Sequence, residues 1–199
     1  MALSKKLADA HTRAGRRFLA APVFGRPDVA AQGKLFIVAA GEADVIESCM
    51  PLFDAMGQKT IRIGEVPQMA NLVKLSGNFI TASVIEAMSE AIALIRKAGI
   101  DPHRYFALLT STIFTCPVFT NYGVQIANGK AEPGGFAASL GEKDMRLALA
   151  AAETLRVPMP LASVVHDRLQ TLIARGGEHV DWSALGLLAA NDAGLFKQT

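Results

Sequence analysis

The sequence predicts a mainly α protein: an α/β segment over 1–65, then an all-helical domain over 66–199, joined by one long helix. Three observations carry this. Short β-rich runs separated by Gly and Pro stop near residue 65. The stretch 68–97 then continues with no proline and one glycine, Gly77. From there to the C-terminus the apolar residues recur at helical spacing. With 51% hydrophobic and 19% charged residues in 199, the chain has enough apolar material for a core and is not a disordered or low-complexity polypeptide.

Taken in order, the first seventeen residues carry five basic residues and one acid, with Leu3, Leu7, Ala10 and Ala14 at helical spacing. A transit peptide has a similar look, but Asp9 interrupts the charge and no cleavage signal follows, so an ordinary amphipathic helix is the better reading. Strands are expected at 18–23 (FLAAPV), 35–39 (LFIVA) and 60–63 (TIRI). Between the last two, a helix over 42–56 starts after Gly41 and stops at Gly57, as in a βαβ unit. The helix over 68–97 spans about 45 Å at 1.5 Å per residue. Gly99 ends it, and Asp101-Pro102 supplies the N-cap and first position of the next. Further helices are expected at about 118–128, 143–155, 161–174 and 181–190, the last capped by Asp181.

Charge and composition narrow the function. A formal net charge of +2, split with no strongly basic half, gives no field for phosphate neutralisation, and a nucleic-acid partner is not expected. The uncharged stretch 105–129 is interrupted by threonines, Pro117 and Gly123, so no membrane association is expected from it. Cys49 and Cys116 stand far apart with no C-x-x-C, and the four histidines are scattered, so neither a disulfide framework nor a metal site is signalled. A reducing, cytoplasmic setting is expected. There is no G-x-G-x-x-G, no P-loop and no G-x-S-x-G in the sequence.

Lys74 is the most informative position. It stands among apolar residues in VPQMANLVKLSGNFI, with Asn78 one helical turn on, so the two side chains share a helix face and can converge on one substrate oxygen. Apolar surroundings can lower a lysine from about 10.4 toward neutrality, where it can shuttle a proton. The spacing alone equally describes a lysine that snorkels from the edge of a buried helix.

Three segments in order resemble the β-hydroxyacid dehydrogenase superfamily, which includes 3-hydroxyisobutyrate and 6-phosphogluconate dehydrogenases. The first is Ala21-Pro22-Val23-Phe24-Gly25-Arg26, continued by Ala30, Gly33 and Leu35. It is similar to the family's substrate-binding strand and turn. The second runs from Gly64 to Asn78, like the start of the interdomain helix. The third is Phe136, Leu140, Lys143, Asp144, Leu147, Ala148 and Leu149.

The resemblance implies a partial Rossmann-like segment followed by a 6-phosphogluconate dehydrogenase C-terminal-like domain. It also implies an NAD- or NADP-dependent oxidoreductase acting on a hydroxyacid or carbonyl compound, and pairing as a homodimer through the helical domain. Lys74 matches the catalytic lysine that exchanges a proton with the substrate oxygen. Asn78 matches the substrate-binding amide and Gly25 the turn near the substrate carboxylate. Lys143 matches a lysine near the nicotinamide end of the cofactor, with Phe136 as a wall there.

The departures matter as well. Phe24-Gly25-Arg26 stands where Ser-Gly-Gly is common, which removes a hydroxyl donor and adds a guanidinium able to bind a carboxylate bidentately. Phe24 is therefore expected to line an enlarged apolar side of the substrate site. The family's glycine-rich dinucleotide half is expected ahead of residue 1, so this chain alone is expected to be inactive. Two alternatives stand beside this reading: an imine reductase, whose family usually lacks the lysine, and a non-catalytic helical dimerisation module.

Overall fold

The structure, a computed structural model, describes residues 1–130, 133 and 135–195. The chain divides into two compact units, Met1–Gly77 and Asn78–Thr199. The protein is mainly α, as expected, with a small sheet confined to the first unit.

The first unit holds α1 (Ala2–Arg13), β1 (Val23–Phe24), α2 (Pro27–Ala31), β2 (Leu35–Ala40), α3 (Ala43–Met56) and β3 (Gly57–Gly64). The sheet order is β1-β2-β3, with β1 antiparallel and β3 parallel to β2. The β2–α3–β3 crossover is the βαβ unit that the sequence predicts. β2 is central, and its continuous apolar run LFIVAA follows from burial on both faces. Side chains alternate along a strand. Ile37 and Ala39 accordingly cluster with Ile46 and Phe53 of α3. Val38 and Ala40 cluster with Ala70, and Phe24 and Val73 pack against them.

Three details differ from expectation. The strand expected at 18–23 contracts to Val23–Phe24 plus an isolated antiparallel bridge between Ala20 and Ala40. The helix expected to stop at Gly57 does end at Met56, but the strand expected at 60–63 begins at once, at Gly57, with an extended φ of −141°. A Cβ there would lie 2.5 Å from the Leu35 carbonyl oxygen, so glycine serves the approach of β3 to β2. The short helix α2 was not expected; Pro27 at its first position and Asp28 in its first turn favour it.

Helix α4 (Pro67–Lys97) is continuous over 31 residues. It begins in the first unit and ends in the second. By length and composition it could cross a membrane, with a mean hydropathy of 1.4 in its most apolar window. Part of its apolar surface is buried within the protein: Ala70 and Leu75 near its start, and Ala82, Ile85, Met88 and Ile92 farther along.

The second unit continues with α5 (Pro102–Thr110), α6 (Pro117–Asn128), α7 (Ala138–Leu155), α8 (Pro160–Ala174), a 3-10 turn (Trp182–Ala184) and α9 (Leu185–Asp192). One core joins them, built on Ile85, Met145, Val165, Leu169, Trp182 and Leu185. Asp101 caps α5 by accepting from the His103 amide at 2.9 Å. Asp181 accepts from the Ser183 amide at 3.0 Å and, through its other oxygen, from the Phe136 amide at 2.9 Å. This carboxylate thus starts the last helical segment and ties the approach to α7 to it. The start is a 3-10 turn rather than the α-helix expected from 181.

Candidate active site

The residues singled out by sequence fall into two groups, one in each compact unit. In the first unit, β1 ends at Phe24 and the chain turns at Gly25, whose φ is +142°. A Cβ at Gly25 would stand 2.6 Å from Leu35 Cδ2, so both conformation and space call for glycine at this turn. Arg26, half-buried, is the residue from which α2 starts. Across the unit, Ala70 and Val73 seat the first turns of α4 on the sheet face that carries Phe24. Lys74 follows Val73, and its Nζ lies 4.3 Å from the centroid of the Phe24 ring. Phe24 and Lys74 are both half-buried. The lysine therefore presents a charged head over an aromatic face, not a head extended into open solvent.

In the second unit, Asn78 is buried and its Nδ2 donates to Asp144 Oδ2 at 2.6 Å. Lys143 Nζ lies 3.0 Å from Asp144 Oδ1, with its own side chain 45% exposed. Asp144 is thus the hub, holding the Asn78 amide with one oxygen and the Lys143 ammonium with the other. One N–H of Asn78 is committed to this bond. Phe136 is half-buried and packs on Trp182 with ring centroids 4.6 Å apart.

Asp144 appears in the sequence reading only as a member of the third segment, with no role given to it. Helix α7 begins at Ala138, five residues before the expected start, so Asp144 lies well inside it. The signal was present in the spacing: Gly141, Asp144, Met145, Ala148, Ala151 and Ala152 form one buried stripe, and an acid on such a stripe requires partners.

A second buried acid has the same signature. Glu86 lies on the buried stripe of α4, and its Oε1 accepts from Arg168 Nε at 2.6 Å. Arg168 NH1 in turn donates to Asp192 Oδ2 at 2.5 Å, so α4, α8 and α9 are tied together. Burial pushes the Glu86 carboxyl above its ordinary 4.5, against the opposing pull of Arg168. Burial also works against the charge on Arg168, but its bonds to Asp192 and Glu86 outweigh this and hold the guanidinium ionised. Among the described residues, no group of three His, Cys, Asp or Glu side chains gathers as a metal site.

Comparison with known proteins follows the same division. Residues 69–188 match a family described as the NAD-binding domain of NADP-dependent 3-hydroxyisobutyrate dehydrogenase. The chain belongs to the β-hydroxyacid dehydrogenase superfamily. Residues 1–64 match the NAD-binding domain of 6-phosphogluconate dehydrogenase, a second component of the same superfamily's architecture.

Among individual superfamily members, the chain is 42% identical over 182 residues to an uncharacterized oxidoreductase, YfjR, of Bacillus subtilis, covering 92% of this chain and 63% of the relative. It is 33% identical to glyoxylate/succinic semialdehyde reductase 1 of Arabidopsis thaliana, covering 92% and 62% respectively. A crystal structure of 3-hydroxyisobutyrate dehydrogenase from Salmonella typhimurium superposes with a TM-score of 0.84 at 28% identity, covering 93% of this chain and 65% of that one. The chain thus spans a little under two thirds of the length of these relatives.

Proposed function

We propose that this chain contributes the substrate-handling part of an NAD(P)-dependent oxidoreductase that interconverts a hydroxyacid and its carbonyl form, with Lys74 as the general acid and base. The observation that supports this reading is the placement of Lys74: a half-buried side chain whose Nζ lies 4.3 Å from the ring of Phe24, the residue before Gly25. A bound nicotinamide would supply or accept the hydride at the substrate carbon. Lys74 would give its proton to the carbonyl oxygen in reduction, and the neutral amine would take it back in oxidation.

The remaining residues hold and orient. The Gly25 backbone and the Arg26 guanidinium would meet the substrate carboxylate, replacing the hydroxyl that Phe24 lacks. Asn78, fixed by Asp144, would hydrogen-bond the reacting oxygen. Lys143 and Phe136 are the residues that would meet the nicotinamide end. Their features suit that role, since Lys143 is exposed apart from its bond to Asp144 and Phe136 is braced on Trp182.

A glycine-rich pyrophosphate cradle is absent from these 199 residues, so we expect negligible turnover from this chain by itself. Reduction of glyoxylate, succinic semialdehyde and 3-hydroxyisobutyrate-related carbonyls, followed at the nicotinamide absorbance band with NADH and NADPH, tests the whole reading. Lys74→Met in the active protein should lower kcat by about 10²–10⁴-fold, the usual contribution of general acid–base catalysis. Retained activity would exclude Lys74 as the acid and favour an imine reductase. The helical unit would also pair the protein as a homodimer in a cytoplasmic setting, which light scattering and fractionation check.

A further inference from the structure

We infer that Phe24 is a positioning residue for Lys74, its ring face holding the ammonium, and that Gly77 is the residue whose missing side chain lets the ring lie there. Three observations converge. The Lys74 ammonium sits 4.3 Å from the ring centroid, well within the range at which an aromatic face attracts a cation. A Cβ built on Gly77 would lie 2.6 Å from both Phe24 Cε1 and Cζ, so the ring occupies the volume that any other residue at 77 would claim. Phe24, like Val73, also packs against the cluster of Ala20, Val38, Ala40 and Ala70, which restrains the ring.

These contacts reach α4 one turn apart. Lys74 and Gly77 are three residues apart on the helix, on neighbouring positions of one face. A large residue at 24 and none at 77 form a complementary pair, and the lysine covers the ring next to the glycine. The ring quadrupole attracts the ammonium and not the neutral amine, so it favours the charged form. Lys74 is thereby presented as a proton donor. The device also places an apolar ring where a serine hydroxyl would meet a carboxylate, which leaves carboxylate recognition to Gly25 and Arg26.

The consequence for catalysis rests on the proposed role of Lys74, but the geometry can be tested without turnover. In the 199-residue chain, the side-chain signals of Lys74 can be followed by NMR through a pH titration, with Lys74→Arg for assignment. The methylene protons should be displaced upfield by the ring. Phe24→Leu keeps the apolar bulk and removes the ring; it should abolish that displacement and weaken the preference for the ammonium by about two- to five-fold, moving the titration to lower pH. Phe24→Tyr should retain both properties. Gly77→Ala should reproduce the effect of Phe24→Leu with residue 24 unchanged, because the new methyl displaces the ring.

Unchanged Lys74 signals and titration in Phe24→Leu would overturn the inference, as would a Gly77→Ala protein that keeps the wild-type displacement. Failure of the Lys74→Met activity test would overturn the catalytic reading and leave these spectra unaffected.

Discussion

Replacing Asp144 with alanine should destabilise the helical unit far more than an ordinary charge deletion. Asp144 is 6% exposed, and its carboxylate is the acceptor for the buried Asn78 amide at 2.6 Å. Removing it strands a buried N–H donor, which costs about 1–3 kcal/mol. The bond to half-exposed Lys143 adds less than about 1 kcal/mol, because solvent screens it. The total is about 1–4 kcal/mol, and at roughly 2–4 °C per kcal/mol for a chain of this size the midpoint should fall by about 2–16 °C.

Thermal melts followed by circular dichroism measure this, with two controls. Lys143→Met should lose no more than about 1 kcal/mol. In an Asn78→Ala background, Asp144→Ala should cost markedly less than in the wild type, since the stranded donor is already gone. A melt of Asp144→Ala within about 1 °C of wild type would refute the hub described for this carboxylate, as would additive losses in the double variant.

Other expectations follow from the same geometry. An acid held above its ordinary value on folding contributes stability that is present below that value and is lost as pH rises through the folded one. Between pH 4 and 7 the wild type should therefore lose ground to Glu86→Gln, which keeps an acceptor for Arg168 without the titration; melts at each pH check this. Gly123→Ala would place a Cβ 1.9 Å from Phe106 Cε2 and should cost about 1–3 kcal/mol in urea unfolding, an effect that Phe106→Leu should partly relieve. Gly25→Ala meets both a positive φ and Leu35 at 2.6 Å, and should impair substrate binding in the active protein more than it lowers the melting temperature, read as KM against Tm.

The long-range order of the elements was legible because it rests on local signals. The continuous apolar run of β2, the proline-free stretch of α4 and the Asp101-Pro102 cap each act through a few neighbouring residues, and each lies where the sequence predicts. Gly57 shows the limit. A glycine after a helical pattern reads as a stop, and α3 does end there, but the same glycine also opens β3 close to the Leu35 carbonyl on the neighbouring strand, which local sequence does not reveal. The late start assigned to α7 has the same origin, since the Ala138 and Ser139 amides of its first turn donate to the Val180 and Glu178 carbonyls, more than thirty residues away.

The sequence by itself determined the βαβ segment and the long helix, because helical period and apolar runs are properties of neighbours along the chain, and its three motifs in order pointed to the superfamily, whose resemblance is what suggests roles for Lys74, Asn78 and Lys143. Tertiary structure alone decided which partners those residues have. It placed Phe24 over the Lys74 ammonium, with Gly77 making room. It also made Asp144, 66 residues from Asn78, the carboxylate that fixes the amide. Such pairings depend on which helix and sheet faces are buried together, and burial is what makes an unmet hydrogen bond or an unbalanced charge costly enough to specify its partner.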